Sequence, residues 1–212
     1  MTAGHREMDG ESGLWKAWVL SCVERAHRMG ILPLSGPQIH VVLYLANTLA
    51  PFFGVMRIRG RVLKRGSAPF YPDVQPELDR LAYSGVLTVK KVEFGPRGIC
   101  VASYGLGPQG SLLAEKLRAL PEAQRTARLF NELLSVCFGG FLMRNVDIGS
   151  VDANYASNNL VDGQVVDFSE WADDNKNVAA AQYLLVQLRA LSPDLDRDGV
   201  RLYCGYLEEA LS

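Results

Sequence analysis

Arg57, Arg59 and Arg61 alternate with Ile58, Gly60 and Val62, and Lys64 and Arg65 follow at once. In an extended segment this alternation places three guanidiniums on one face. A guanidinium fork engages a phosphate or a carboxylate through two bonds at a time. Lys90, Lys91 and Arg97 lie around a second turn, Gly95-Pro96-Arg97-Gly98. Together these eight cations form a candidate surface for DNA phosphate or an acidic protein. The competing reading is a solvated face whose stems cover the core. Phe70 and Tyr71, stiffened between Pro69 and Pro72, are candidates for a partner dock, with Phe70 as a core plug the alternative. Trp171, beside Glu170, Asp173 and Asp174, is a candidate interface anchor or a core residue of a small lobe.

Two further strings resemble ligand motifs. Gly105, Gly107 and Gly110 spell G-x-G-x-x-G after a strand-like run. A dinucleotide site also needs a second strand with an acidic residue after the helix. Here Pro121 and another helix follow, so the glycines are expected to shape a chain crossing instead. Asp194, Asp196, Asp198 and Gly199 open like a calcium loop, but Gly205 stands where a bidentate Glu should close it, and Arg197 intervenes. A helix start, with Ser192 as cap and Pro193 in the first position, is the expected role. Cys22, Cys100, Cys137 and Cys204 form no C-x-x-C pair and read as reduced thiols. With only His5, His27 and His40, the chain has no H-E-x-x-H, G-x-S-x-G or P-loop string. The expectation is a non-enzyme with no cofactor and no metal.

The elements that position these residues follow from periodicity. Leu14, Trp15, Trp18, Val19, Cys22, Val23 and Ala26 predict a helix stopped by Gly30. Ser35 and Pro37 start a second helix with Ile39, Val42, Leu43, Ala46 and Leu49 on one face, ending at Pro51. A third runs from Asp73 to about Ser84, with Val74, Leu78 and Leu81 inward and Gly85 as cap. Its outer side is expected to show Gln75, Glu77, Asp79, Arg80 and Tyr83. Acidic groups there repel phosphates, which argues for protein contact or loose DNA contact over base reading. Val86–Phe94 and Ile99–Tyr104 predict a hairpin with strict alternation, and Pro108–Leu120 another helix. Further helices are expected over Glu122–Phe138, Val178–Leu191 and Pro193–Leu211, with a short strand near Val165–Phe168. The expected fold is α+β and mostly α: a winged helix-turn-helix domain (1–120) followed by a smaller helical acidic lobe (121–212).

The 212 residues carry a net charge of −1, unevenly spread: residues 1–130 hold 17 Lys+Arg against 10 Asp+Glu, and 131–212 hold 5 against 13. Such a split suits two separate electrostatic roles. The ordinary apolar and charged fractions exclude a fibre or a fully disordered chain. The start, MTAGHREMDGESG, lacks a signal pattern, and the apolar run Leu133–Met143 is too short for a membrane span, so a cytoplasmic protein is expected.

Several strings resemble one family. They are Val42-Leu43-Tyr44-Leu45, Leu63-Lys64 with Gly66, Pro69-Phe70-Tyr71-Pro72, and Glu77-Leu78-Asp79-Arg80-Leu81 with Gly85-Val86-Leu87. Asp152-Ala153-Asn154-Tyr155 and the stretch from Trp171 to Asn175 fit the same pattern. Over roughly residues 35–180 the chain resembles the middle component of bacterial ABC three-component systems, of which Lamassu-type defence is an example. The resemblance implies a non-catalytic subunit accompanying an SMC-like ATPase and an effector, often a nuclease, with double-stranded DNA met through the complex. A stand-alone DNA-binding regulator is the alternative.

Overall fold

The computed structural model describes residues 3–58, 60–65, 68–94, 100–139, 165–167, 176–191 and 194–209. Its architecture is α+β and mostly helical. Helix α1 (Ala3–Arg28) ends where Gly30 turns left-handed at φ 72°; Gly30 N–H then donates to His27 O and Ile31 N–H to Ala26 O. These bonds satisfy carbonyls that the helix end would otherwise leave open. Strand β1 (Leu34–Ser35) leads into α2 (Gly36–Leu49), where Ser35 and Gln38 form a reciprocal capping box.

The apolar face expected of α2 is buried, but so is the opposite one: His40, Val41, Tyr44, Leu45, Asn47 and Thr48 are also out of water. This is a central helix covered on all sides, with β3, α5 and α6 among its neighbours. A 3-10 turn (Ala50–Phe53) follows, then β2 (Arg61–Arg65) and β3 (Ala68–Phe70), a hairpin the periodicity did not announce. Helix α3 (Val74–Tyr83) buries Val74, Leu78 and Leu81 as expected, and Gly85 (φ 72°) lies just past its end. Strands β4 (Leu87–Phe94) and β5 (Cys100–Leu106) form the expected hairpin, followed by α4 (Pro108–Leu117) and α5 (Pro121–Gly139). Then come β6 (Val165–Asp167), α6 (Lys176–Leu191) and α7 (Leu195–Glu209).

Two antiparallel sheets result, ordered β1-β5-β4 and β3-β2-β6. In the first, Leu34 faces Tyr104 and Leu87 faces Leu106. A bulge between Val89 and Lys91 breaks the strict alternation expected of β4 and makes Lys90 the extra residue. In the second sheet, Leu63 faces Phe70 and Arg61 faces Asp167, so a strand from the acidic half pairs with the arginine-bearing strand.

The apolar core runs across residue 120. Trp18 of α1 meets Phe130 of α5 edge to face, with ring centroids 5.7 Å apart, and Leu133, Leu134 and Cys137 join the same buried cluster. Helix α7 adds Val200, Tyr203 and Leu207 from the other side of α5. Among the described residues no helix is long and apolar enough to cross a membrane.

Candidate functional site

The basic segment is held at its inner edge by one side chain. Asn47 of α2, 4% exposed, donates from Nδ2 to Ile58 O and accepts the Ile58 N–H at Oδ1, both at 2.9 Å. The carboxamide thereby takes the place of a neighbouring strand. Ile58 and Val62 point into the core, and Gly60 lies so close to Trp15 that a Cβ there would sit 3.1 Å from Cζ2. With Val62 turned inward, period-two geometry turns Arg61 outward.

Arg61 is exposed accordingly, whereas Arg57 is only half so. Nε and Nη2 of Arg57 are shut off from water without a hydrogen-bond partner among the described residues, and burial pushes its pKa down. Burying donors of a cation without acceptors is costly. Arg59 lies outside the described residues. Lys64 and Arg65 close strand β2.

The other expected cations belong to a different sheet. The stem of Lys90 lies across Gly105, whose missing Cβ would fall 2.9 Å from Lys90 Cε. Lys91 pairs with Glu93 at 2.7 Å, with both side chains more than half exposed. Such a pair contributes little to stability. Arg97 lies outside the described residues. Arg61, Lys64 and Arg65 on β2 and Lys90 and Lys91 on β4 therefore belong to sheets that share no strand. Around Lys90 and Lys91 the hairpin exposes Val89, Val92 and Phe94, the last at 80%.

The outer face of α3 differs from expectation at one position. Glu77 is buried, not displayed: it accepts from Ser12 Oγ at 2.9 Å and pairs with Lys16 of α1 and with Arg80. It therefore locks α3 onto α1. What α3 shows to solvent is Pro76, Asp79, Arg80 and Tyr83, with Tyr83 97% exposed.

Tyr71 also departs from its expected role at a partner dock. It is fully buried, its ring 4.9 Å from that of Trp15, and its N–H donates to His40 Nδ1 at 3.2 Å. Tyr71, the residue after β3, enters the core, and Phe70 at the strand's end is half-buried against His40. Trp171 lies outside the described residues.

The ligand-like strings have structural uses. A Cβ at Gly107 would collide with Gly85 O, and one at Gly110 with Val86 O, so both glycines seat the start of α4 on the chain entering β4. Asp196, Asp198 and Gly199 fall inside α7, and Gly199 packs against the Phe52 ring. A helical backbone cannot fold its carboxylates around calcium as a loop does. None of the four cysteines forms a disulfide, and burial raises the Cys22 thiol far above its ordinary range. Among the described residues no cluster of His, Cys, Asp or Glu is suited to a metal.

One site was not anticipated. α1, α4 and α5 surround a cavity at whose end Glu24, 5% exposed, holds Arg25, Arg28 and Arg118. Glu24, Arg25 and Arg28 are visible together in sequence, but Arg118 arrives from 94 residues away. Comparison with protein-family models and with curated proteins gives no match.

Proposed function

We propose that the chain is a non-catalytic accessory subunit that joins larger protein partners through a winged helix-turn-helix. The order α1-β1-α2-α3-β4-β5 and the sheet order β1-β5-β4 support that fold, with β2 and β3 inserted between its second and third helices. The observation that carries the functional reading is the chemistry of the outward face. Tyr83 is 97% exposed, Phe94 80%, Val92 51% and Val89 45%, on the third helix and the hairpin that would address DNA in such a fold. Base edges are read by Arg, Lys, Asn and Gln. Exposed aromatic and branched side chains favour a protein surface instead.

The resemblance of the sequence supports an SMC-like ATPase and an effector nuclease as the partners, in a cytoplasmic defence complex against phage or plasmids. The subunit would act by binding one assembly state better than another, so that engagement of DNA shifts the population. Co-expression with the neighbouring ATPase and effector tests this. A stoichiometric complex, lost when Tyr83 and Phe94 are both changed to Asp, is the expected result. A monomer that leaves the ATPase behind overturns it.

A second reading, a DNA-binding regulator, draws on the exposed Arg61, Lys90 and Lys91. It requires nanomolar, sequence-selective binding of the isolated protein to its own promoter, with affinity falling steeply as salt rises. Fluorescence anisotropy distinguishes the two.

A further inference from the structure

Strand β4 is the outermost of its sheet, and every residue from Val89 to Phe94 is exposed. Among the described residues no strand pairs with its far edge, so the backbone donors and acceptors that point there are open to another strand. The bulge sorts the side chains of this stretch. Val89, Val92 and Phe94 stand opposite Tyr104, Ala102 and Cys100. These three are every second residue of β5 and share one face, so the apolar residues opposite them share it too. Lys91 stands opposite Ser103 on the other face and pairs there with Glu93, and Lys90 lies on that same side, its stem across Gly105. Without the extra residue, Val89 would face away from Val92 and Phe94.

We propose that β4 pairs antiparallel with β4 of a second copy of this chain, about a two-fold axis through Val92. An axis normal to the sheet keeps each residue on its own face, and opposed residues share a face, so only registers centred on a residue are open. Centred on Val92, Lys91 of each copy meets Glu93 of the other, giving two opposite-charge pairs on one face. On the other face, Val92 and Phe94 of both copies run on as one apolar stripe. Centring on Lys90, Lys91 or Glu93 sets a charge against itself. Centring on Val89 brings the bulge into the paired stretch, and centring on Phe94 engages only the strand's tip. The order Lys91-Val92-Glu93 is thus complementary to itself, which selects a second copy over a foreign strand. The net charge of −1 sets no overall repulsion between copies. Pairing through an edge leaves both faces of the sheet uncovered, so the lengthened apolar stripe stays open to another protein. A contact of this size belongs to the weak class, below about 1,200 Å2.

Sedimentation velocity of the full chain alone, from about 1 to about 300 μM, brackets a weak complex. Reducing conditions keep the exposed Cys100 from linking copies. A shift from monomer to dimer within that range is expected. Lys91→Glu and Glu93→Lys each change an exposed side chain and should keep the parent's circular dichroism. Each alone sets like charges opposite at two places and should weaken the dimer at least about ten-fold. Mixed in equal amounts, the two variants should pair at least as tightly as the parent, because a chain with two glutamates then faces one with two lysines. A parent that stays monomeric throughout, a dimer that either single variant leaves unchanged, or a mixture that fails to recover it overturns the proposal. No partner protein enters the measurement, so its result is independent of the ATPase reading.

Discussion

Replacing Asn47 by Ala removes both hydrogen bonds that anchor Ile58 and leaves a buried N–H and a buried C=O facing apolar side chains. An unsatisfied buried polar group costs about 1–3 kcal/mol. Two such groups, partly relieved by water entering the vacated space, give an expected loss of about 3 kcal/mol. For a chain of this length about 2–4 °C of Tm accompanies each kcal/mol, so the midpoint should fall by about 6–12 °C. Urea denaturation followed by tryptophan fluorescence reads the change, since Trp15 lies against Gly60 in the released segment. Asn47→Asp sharpens the test. It keeps an acceptor for Ile58 N–H but sets a second oxygen against Ile58 O, and should destabilise at least as much as Ala. Because the clamp fixes the segment that carries Arg57 and Arg61, Asn47→Ala should also weaken whatever those arginines bind. A loss below about 0.5 kcal/mol, the scale of an ordinary surface change, would refute the reasoning. It would mean that strand pairing alone holds the segment.

Burial alone would raise the Glu24 carboxyl, but hydrogen bonds and charge from Arg25 and Arg28 outweigh it and hold the group below its ordinary value of 4.5. A depressed carboxyl contributes stability above its unfolded value and loses that contribution as pH falls through the folded one. Thermal stability should therefore decline below pH 4.5, and Glu24→Gln should flatten that part of the profile. At neutral pH the same change should cost about 1–2 kcal/mol, less than for a wholly buried pair because two of its arginines are half in water. Gly199→Ala drives a methyl into the Phe52 ring; chemical denaturation should show a loss of about 1–3 kcal/mol from overpacking. Changing Arg59 and Arg61 together to Glu, with the half-buried Arg57 left in place, should preserve the circular dichroism spectrum while weakening complex assembly or DNA retention at least about ten-fold, the scale of one lost charge-assisted contact. Unaltered assembly and DNA binding would return these two residues to a solvated face.

Periodicity and punctuation carry most of the secondary structure, because helix ends are local chemistry. Gly30, the Ser35–Gln38 box and Gly85 each stop or start a helix within a few residues of themselves. The β2–β3 hairpin is not legible in the periodicity because its strands span only five and three residues, and the second carries Pro69 at its centre. The bulge at Lys90 is equally silent in sequence, since it is defined by what β5 places opposite.

The residues alone determined where the helices run, that Val62 and Arg61 face opposite ways, and that the G-x-G-x-x-G string and the aspartate run lack the partners their ligands require. Only the tertiary structure decided that Glu77 turns inward, that Tyr71 belongs to the core, and that the acidic half lends a strand to the basic one. It alone brought Arg118 to Glu24. Local spacing selects a face of a helix, but which face is buried, and which distant charge meets it, depends on the neighbours that packing supplies.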